Sequence, residues 1–275
     1  MHMITNPSSR DHAEVDLGPA AGVSDRGIRH HRNEDAMALA AEQTPDGPAV
    51  VAVVCDGVSS SARPDEASQV AAQAALPVLV AAVQAGGDLG TASLAAVAAA
   101  RQAIADLQGP GGDTSATTFV SAVASGYEVT LCWLGDSRAY WLGSGTGSDA
   151  ERLTCDDSVA GEMVAAGLVS EDAAMALPGA HVVTGWVGAN SPAAPPHVAT
   201  FTPPGPGVLL LCSDGLWNYQ PEAAGLAGLA LPGALTDPLG TAAALVEFAL
   251  QAGGADNITV VLAPFPPAAP VGARA

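Results

Sequence analysis

Lysine is absent from this chain. All nine basic residues are arginines, set against 28 aspartates and glutamates, for a net charge of −19. An acidic balance of this size argues against binding to nucleic acid or to an anionic membrane, both of which need a basic footprint, and at long range it favours basic peptides. Aromatic residues are scarce too, at 4% of 275, so a core has to be assembled from the alanine, valine and leucine that dominate the 49% hydrophobic content. The cysteines Cys55, Cys132, Cys155 and Cys212 lack metal-type spacing. Three of them precede tight turns inside apolar runs, and they read as reduced, buried small hydrophobes of a cytoplasmic protein. The first sixteen residues carry no apolar stretch, so no signal peptide is expected. The longest bland run, 70–83, reads as too short and too weakly apolar to span a bilayer. Linkers and internal repeats are also missing. That leaves one folded unit, expected over 19–263, between a disordered polar arm (1–18) and a loose Pro/Ala-rich tail (264–275).

Strand patterns cover 36–41, 49–55, 117–124, 128–134, 139–142, 198–202, 208–212 and 258–262. The breaks at Ser125-Gly126 and at Gly135-Asp136-Ser137 read as hairpin turns. Helix patterns cover 64–84, opened by Pro64 with Asp65 and Glu66 complementing the N-terminal dipole, then 93–107, 159–166, 171–176 and 240–251, the last stopped by Gly253-Gly254. Strands in clusters and helices in pairs predict an α+β fold of stacked layers, not a doubly wound parallel sheet.

Three apolar runs each deliver an aspartate into a tight turn: VVAVVCDG at Asp56, EVTLCWLGDS at Asp136 and VLLLCSDG at Asp214. A fourth aspartate, Asp256, opens DNITVVL. An unpaired buried charge is costly, so these carboxylates are not expected in the core, and several converging on one place call for a cation. The stretch SDRGIRHHRNEDAMA (24–38) gathers Arg26, Arg29, His30, His31 and Arg32 ahead of Glu34 and Asp35. In so arginine-poor a chain it reads as a solvated loop with local ion pairs or, beside a metal cluster, as a clamp for phosphate oxygens. The hydroxyls of GDTSATTFV (112–120) suit turns and caps. Each stretch alone has a bland reading: Asp56-Gly57 as a hairpin turn, Asp136 and Arg138 as a structural ion pair. Their joint order is far more specific than any one of them.

Taken together, the stretch ending in NED, the strand ending in DG, GDSR, SDGLW and DN-I-T resemble, in order and spacing, the metal-dependent protein Ser/Thr phosphatases of the type 2C (PPM) family, in its compact bacterial branch, over roughly 22–262. The resemblance implies a four-layer α-β-β-α sandwich, two stacked, mainly antiparallel sheets flanked by helix pairs, with a binuclear metal site at one end. It implies that Asp56 bridges two cations, that Gly57 offers its carbonyl, and that Asp214 and Asp256 hold the ions. Glu34 and Asp35 would bind outer waters or brace the ligands. All-oxygen ligands suit Mn²⁺ or Mg²⁺. The implied reaction is attack of a metal-bridging hydroxide on phosphoserine or phosphothreonine, without a phosphoenzyme. The implied partners are phosphorylated protein substrates of Ser/Thr kinases, met by a cytoplasmic monomer without nucleic acid or membrane.

Departures from the family pattern accompany these matches. His30 stands where the family has its phosphate-gripping arginine, which leaves His30, Arg29 and Arg32 as candidates. Val58 replaces a histidine taken to be a general acid in the animal enzymes. Asn218 replaces an aspartate that helps hold a third cation, so with Asp136 and Asp214 a third site is expected to be weak or absent. Asp157 stands where many relatives have a histidine, at the entrance of a flap over 156–189. Two other readings share these residues: a catalytically weak relative that binds metal or phosphopeptide as an interaction module, and a metal phosphoesterase acting on small molecules.

Overall fold

The structure is a computed structural model that describes residues 2–5, 11–107, 114–145, 150–188, 191 and 194–269. Parts of the expected arm, flap end and tail, and Gly112 and Asp113 of the hydroxyl-rich stretch, lie outside the described residues. In chain order the first half comprises β1 (His2–Thr5), β2 (His12–Asp16), β3 (Ala21–Asp25), β4 (Asp35–Thr44), β5 (Gly47–Asp56), α1 (Pro64–Ala85), α2 (Leu89–Asp106), β6 (Ala116–Thr117), β7 (Phe119–Ser125) and β8 (Glu128–Leu134). The second half comprises β9 (Arg138–Gly143), β10 (Ala150–Arg152), α3 (Val159–Ala165), α4 (Glu171–Met175), β11 (Val187–Gly188), β12 (His197–Phe201), β13 (Gly207–Cys212), α5 (Asp214–Trp217), α6 (Ala223–Ala234), α7 (Pro238–Ala252) and β14 (Ile258–Phe265).

Two six-stranded sheets form, ordered β1-β4-β5-β7-β8-β12 and β10-β9-β13-β14-β3-β2, with a short β11-β6 ribbon beside them. The named strand pairs in both sheets are antiparallel. β5 shows how one sequence feeds two cores. Val51, Val53 and Cys55 point toward α1 and α2, while Val50, Ala52 and Val54 point between the sheets. That is the period-two alternation of a strand buried on both faces. On the far side Leu210 and Val260 pack against Leu226, Leu245 and Trp217 of α5–α7. The α-β-β-α layering expected from the sequence is the layering observed.

Several local expectations change. The arm is not patternless throughout: residues 2–5 and 12–16 add an edge strand to each sheet by pairing with β4 and β3, and β2 turns Ala13 and Val15 inward in period-two alternation. The last strand runs to Phe265, two residues into the expected tail. The Gly135-Asp136-Ser137 turn is not a hairpin, since β8 and β9 lie in different sheets and the turn carries the chain from one to the other. Helix α2 starts at Leu89 because the Asp88 side chain accepts a hydrogen bond from the Thr91 N–H at 2.7 Å. The glycine- and proline-bearing helix α6 had no clear periodic signal. Helix α1 does reach membrane-spanning length and hydropathy, contrary to the reading of run 70–83, yet Ala71, Ala75, Leu76, Leu79 and Val83 are buried in the core. Cys155 is exposed, unlike the other three cysteines, and all four are free.

Small side chains set the spacing between α1, α2 and the first sheet. Enlarging the fully buried Ala75 to leucine is expected to cost about 1–3 kcal/mol in urea unfolding, while Ala98→Leu on the exposed face of α2 should be nearly neutral. Equal, small effects at both sites would contradict this packing.

Candidate metal centre

The site begins with strand register. Asp35 opens β4 directly opposite Asp56, the last residue of β5. Two carboxyls in that position share a proton or need a cation. Asp35 Oδ2 accepts hydrogen bonds from Ser213 Oγ at 2.7 Å and Thr259 Oγ1 at 2.8 Å, both hydroxyls belonging to the second sheet's end of the sandwich. The Asp56 backbone is fixed from β6–β7: Thr118 Oγ1 accepts from its N–H at 3.0 Å, and its carbonyl accepts from the Thr118 N–H and the Thr117 hydroxyl. Glycine at 57 is required by close approach, since an added Cβ would lie 2.4 Å from the Pro64 carbonyl and 2.8 Å from that of Glu34.

Asp136 sits in the crossing turn, with Trp217 Nε1 donating to its carbonyl at 2.9 Å. Asp214 opens the one-turn helix α5, where Gly215 packs so tightly on Asn257 that a Cβ would meet its carbonyl oxygen at 2.0 Å. Asp256 lies just ahead of β14. The folding therefore brings Asp35, Asp56, Asp136, Asp214 and Asp256 to one end of the sandwich, where they sense one another electrostatically. Contrary to the expectation from cost alone, Asp35 and Asp136 are buried, and the other three are half-buried.

Their titration follows. Burial above all, with the Asp256 charge adding, pushes Asp35 up to about 7 against the pull of its hydroxyl partners. Burial, and then the Asp156 charge, pushes Asp136 up to about 7. Asp56 and Asp214 are raised well above the ordinary carboxylate range, by burial first and by neighbouring aspartates second. Two buried oxygens, Asp35 Oδ1 and Asp214 Oδ1, have no hydrogen-bond partner. Among the described residues no group of three or more His, Cys, Asp or Glu side chains forms a ready cage for an ion. Mg²⁺-type sites do not need one, because such ions keep several waters and use one or two carboxylates. Orphaned oxygens, mutual repulsion and a purely oxygen donor set fit a hard divalent cation.

The cationic loop divides its residues. His30 Nε2 lies 3.0 Å from Asp256 Oδ1. Arg32 is engaged by Glu34 at 3.0 Å and Asp65 at 3.3 Å, and Glu34 also accepts from Ser59 Oγ at 2.6 Å, so Glu34 faces its own partners and not the aspartate cluster. Arg29 is exposed and has no ion pair among the described residues.

Sequence reasoning missed Asn257, which is buried and holds this loop in place. Its Oδ1 accepts from the Glu34 N–H at 2.7 Å, and its Nδ2 donates to the Arg26 carbonyl at 2.6 Å and the Arg32 carbonyl at 3.1 Å. An asparagine directly after a ligand-type aspartate was the available signal. Arg138 makes its close ion pair with Asp156, not with Asp136 as the bland reading of that turn had it. It forks onto Asp156 (Nε to Oδ1 3.0 Å, Nη2 to Oδ2 2.7 Å) at the flap entrance and lies 3.7 Å over the Trp217 ring. Asp157 accepts from the Gly135 N–H at 2.9 Å and contacts His197 at 2.8 Å, so it braces the turn that carries Asp136. Asn218 Nδ2 donates to Asp214 Oδ2 at 3.1 Å. A cleft of about 710 Å³ opens over Asp214 and Asp256, walled by Trp217, Asn218, Tyr219 and the flap residue His181.

Because Asp35, Asp56, Asp136 and Asp214 titrate above the ordinary carboxylate range when folded, the metal-free protein holds protons that the unfolded chain has released. Stability is present at low pH and is lost as pH rises from the ordinary carboxylate value through about 7. The melting temperature in chelator is expected to fall between about pH 5 and about pH 8, and Mn²⁺ should raise it more at the higher pH. A metal-free melting temperature that rises or stays flat over that range would contradict the cluster.

A family model described as protein phosphatase 2C matches residues 26–229. The chain is 30% identical over 252 residues to the serine/threonine protein phosphatase PstP of Mycobacterium tuberculosis, covering 88% of this chain and 44% of that one. It is 34% identical over 159 residues to the serine/threonine phosphatase stp of Listeria welshimeri, covering 57% and 58% respectively. It thus spans about half the length of these curated relatives. A crystal structure of the catalytic domain of PstP in complex with two manganese ions superimposes with a TM-score of 0.65 at 27% identity, covering 89% of this chain and 96% of that one. With the family model matched over most of the chain and the sandwich in common, the chain belongs to the protein phosphatase 2C family.

Proposed function

We propose that this chain is a metal-dependent protein serine/threonine phosphatase. The observation that carries the reading is the group of mutually repelling aspartates at one sandwich end, two of whose buried oxygens lack any protein partner. The bacterial relatives named as serine/threonine phosphatases support it, as does the relative crystallised with manganese.

In this proposal Asp56, the Gly57 carbonyl, Asp214 and Asp256 hold two Mn²⁺ or Mg²⁺ ions. When bound, the ions supply a water acidic enough to act as nucleophile near neutral pH, and positive charge for the phosphoryl oxygens. The remaining roles fall to the chain's own groups. Asp35 keeps a buried, unpartnered Oδ1 that a water brought in with the ions would satisfy, while Ser213 and Thr259 lock its other oxygen. Glu34, engaged by Arg32 and Ser59, braces the cationic loop against the 58–61 turn. Of the candidate phosphate grips, Arg29 is the one with an uncommitted guanidinium, and His30 serves instead to orient Asp256. Asp136 with Asp214 forms a weaker third cation site, because Asn218 offers Asp214 a neutral amide where a further carboxylate would add charge. Val58 has no proton to give the departing seryl or threonyl oxygen.

The proposed setting is a cytoplasmic monomer acting on phosphoproteins made by Ser/Thr kinases. Four free cysteines suit a reducing compartment, and the apolar face of α1 is already used by the core. Strong net negative charge favours a separate chain over self-association.

The test is hydrolysis of an aryl phosphate and of a phosphothreonine peptide, each with and without Mn²⁺. Manganese-dependent turnover of both is expected, and Asp56→Asn should abolish it together with the manganese-induced rise in melting temperature. Metal binding without turnover would favour the interaction-module reading. Turnover confined to small phosphates would favour a small-molecule phosphoesterase, and full activity in Asp56→Asn would remove that residue from the site.

A further inference from the structure

A second cavity, of about 510 Å³, lies against the flap residue His181. His181 is common to the walls of both cavities. The two differ sharply in chemistry. The cleft over the aspartates carries Asp214, Asp256, Glu171 and Glu222, whereas the second cavity has no aspartate, glutamate or arginine among the described residues that line it. In a chain with a net charge of −19 this is an unusual patch to find directly after the Asp56-Gly57 turn.

Its walls are preformed. On one side the 58–61 loop is tied down by Val58 N–H to the Ala116 carbonyl (3.0 Å), Ser61 N–H to the Val58 carbonyl (2.8 Å) and Ala62 N–H to the Thr114 carbonyl (3.1 Å). Two of the loop's three hydroxyls are spent on the protein: Ser59 Oγ donates to Glu34, and Ser61 Oγ accepts from the Ala116 N–H. On the other side the flap segment is anchored by the Ser158–Val183 bridge and by Val159 N–H to the Val182 carbonyl at 3.0 Å. The apolar surfaces facing the cavity are Val58, Ala116, Val182, Val183 and Trp186, with Ser60, Thr114 and His181 adding neutral polar edges, and Val182 is 56% exposed although it is apolar. Trp186 is half-buried in this wall.

We propose that this cavity is a substrate subsite: it receives an uncharged, apolar side chain of the phosphoprotein near the phosphorylated serine or threonine, with Val182 and Trp186 as its specificity-determining residues. The inference rests on the phosphatase reading above and adds to it a sequence preference. Continuity with the aspartate cleft commits the occupant to the same peptide that presents the phosphate. The shared His181 wall sets the partner side chain close in sequence to the phosphoresidue, and a scan of about three residues to either side covers roughly 10 Å of extended chain each way.

The test uses alanine-based phosphothreonine peptides in which each position within that distance is set in turn to leucine, phenylalanine, aspartate or arginine, with an aryl phosphate alongside, all in Mn²⁺. At one position leucine or phenylalanine should raise kcat/KM about tenfold or more over aspartate. Val182→Asp should erase that preference while aryl phosphate turnover stays within about twofold, and Trp186→Ala should weaken it. A flat profile across all positions, a stronger response to arginine than to leucine, or a preference that survives Val182→Asp overturns the subsite while leaving the phosphatase reading intact. Failure to hydrolyse the aryl phosphate with Mn²⁺ overturns both.

Discussion

Repulsion among like charges in a poorly hydrated place is the condition on which this molecule is built. Asp35 and Asp56 are paired across two central strands, and Asp136, Asp214 and Asp256 arrive at the same end from the opposite sheet and from the turn that joins the sheets. Left ionised and alone, such a group would push the sandwich end apart. Protonation relieves this at low pH, and divalent cations relieve it at neutral pH. The same feature that makes the site costly to fold therefore makes it ready to take metal.

The scaffold supports that cost by fixing the backbone instead of the charges. Glycines at 57 and 215 allow chain crossings that no Cβ would permit. Thr117 and Thr118 hold the Asp56 main chain, Ser213 and Thr259 hold one oxygen of Asp35, and Asn257 secures the cationic loop against the start of β14. The flap is tied to the same frame through Arg138, whose guanidinium spans Asp156 and the face of Trp217. Trp217 in turn grips the carbonyl of Asp136. Flap position and carboxylate position are thus coupled through one buried arginine and one indole.

The strands that carry the aspartates were legible in the sequence because they are buried on both faces and read as unbroken apolar runs, and the ends of β5 and β13 followed from the residues that punctuate them. The edge strands β1 and β2 were not legible: β2 does alternate, with Ala13 and Val15 buried, but two apolar side chains among charged neighbours did not stand out from a polar arm. The crossing turn at Gly135-Asp136-Ser137 looked like a hairpin because local sequence carries no information on which sheet the next strand joins. At the site, residue types that bear charge stood out, whereas Asn257, Thr118 and Ser213 did not, since a neutral hydrogen-bonding side chain announces nothing until its partners far along the chain are known. Burial of Asp35 and Asp136 went unforeseen for a related reason: the cost of burying a lone charge is real, but it argues against burial only where no counter-ion is to be bound.

An anomalous-scattering map from a manganese-soaked crystal, collected at the manganese edge, tests the central claim most directly. The account places paired peaks among the carboxylates of Asp56, Asp214 and Asp256, with a weaker peak or none between Asp136 and Asp214. No peak at that end of the sandwich, or manganese bound only elsewhere on the acidic surface, would contradict it.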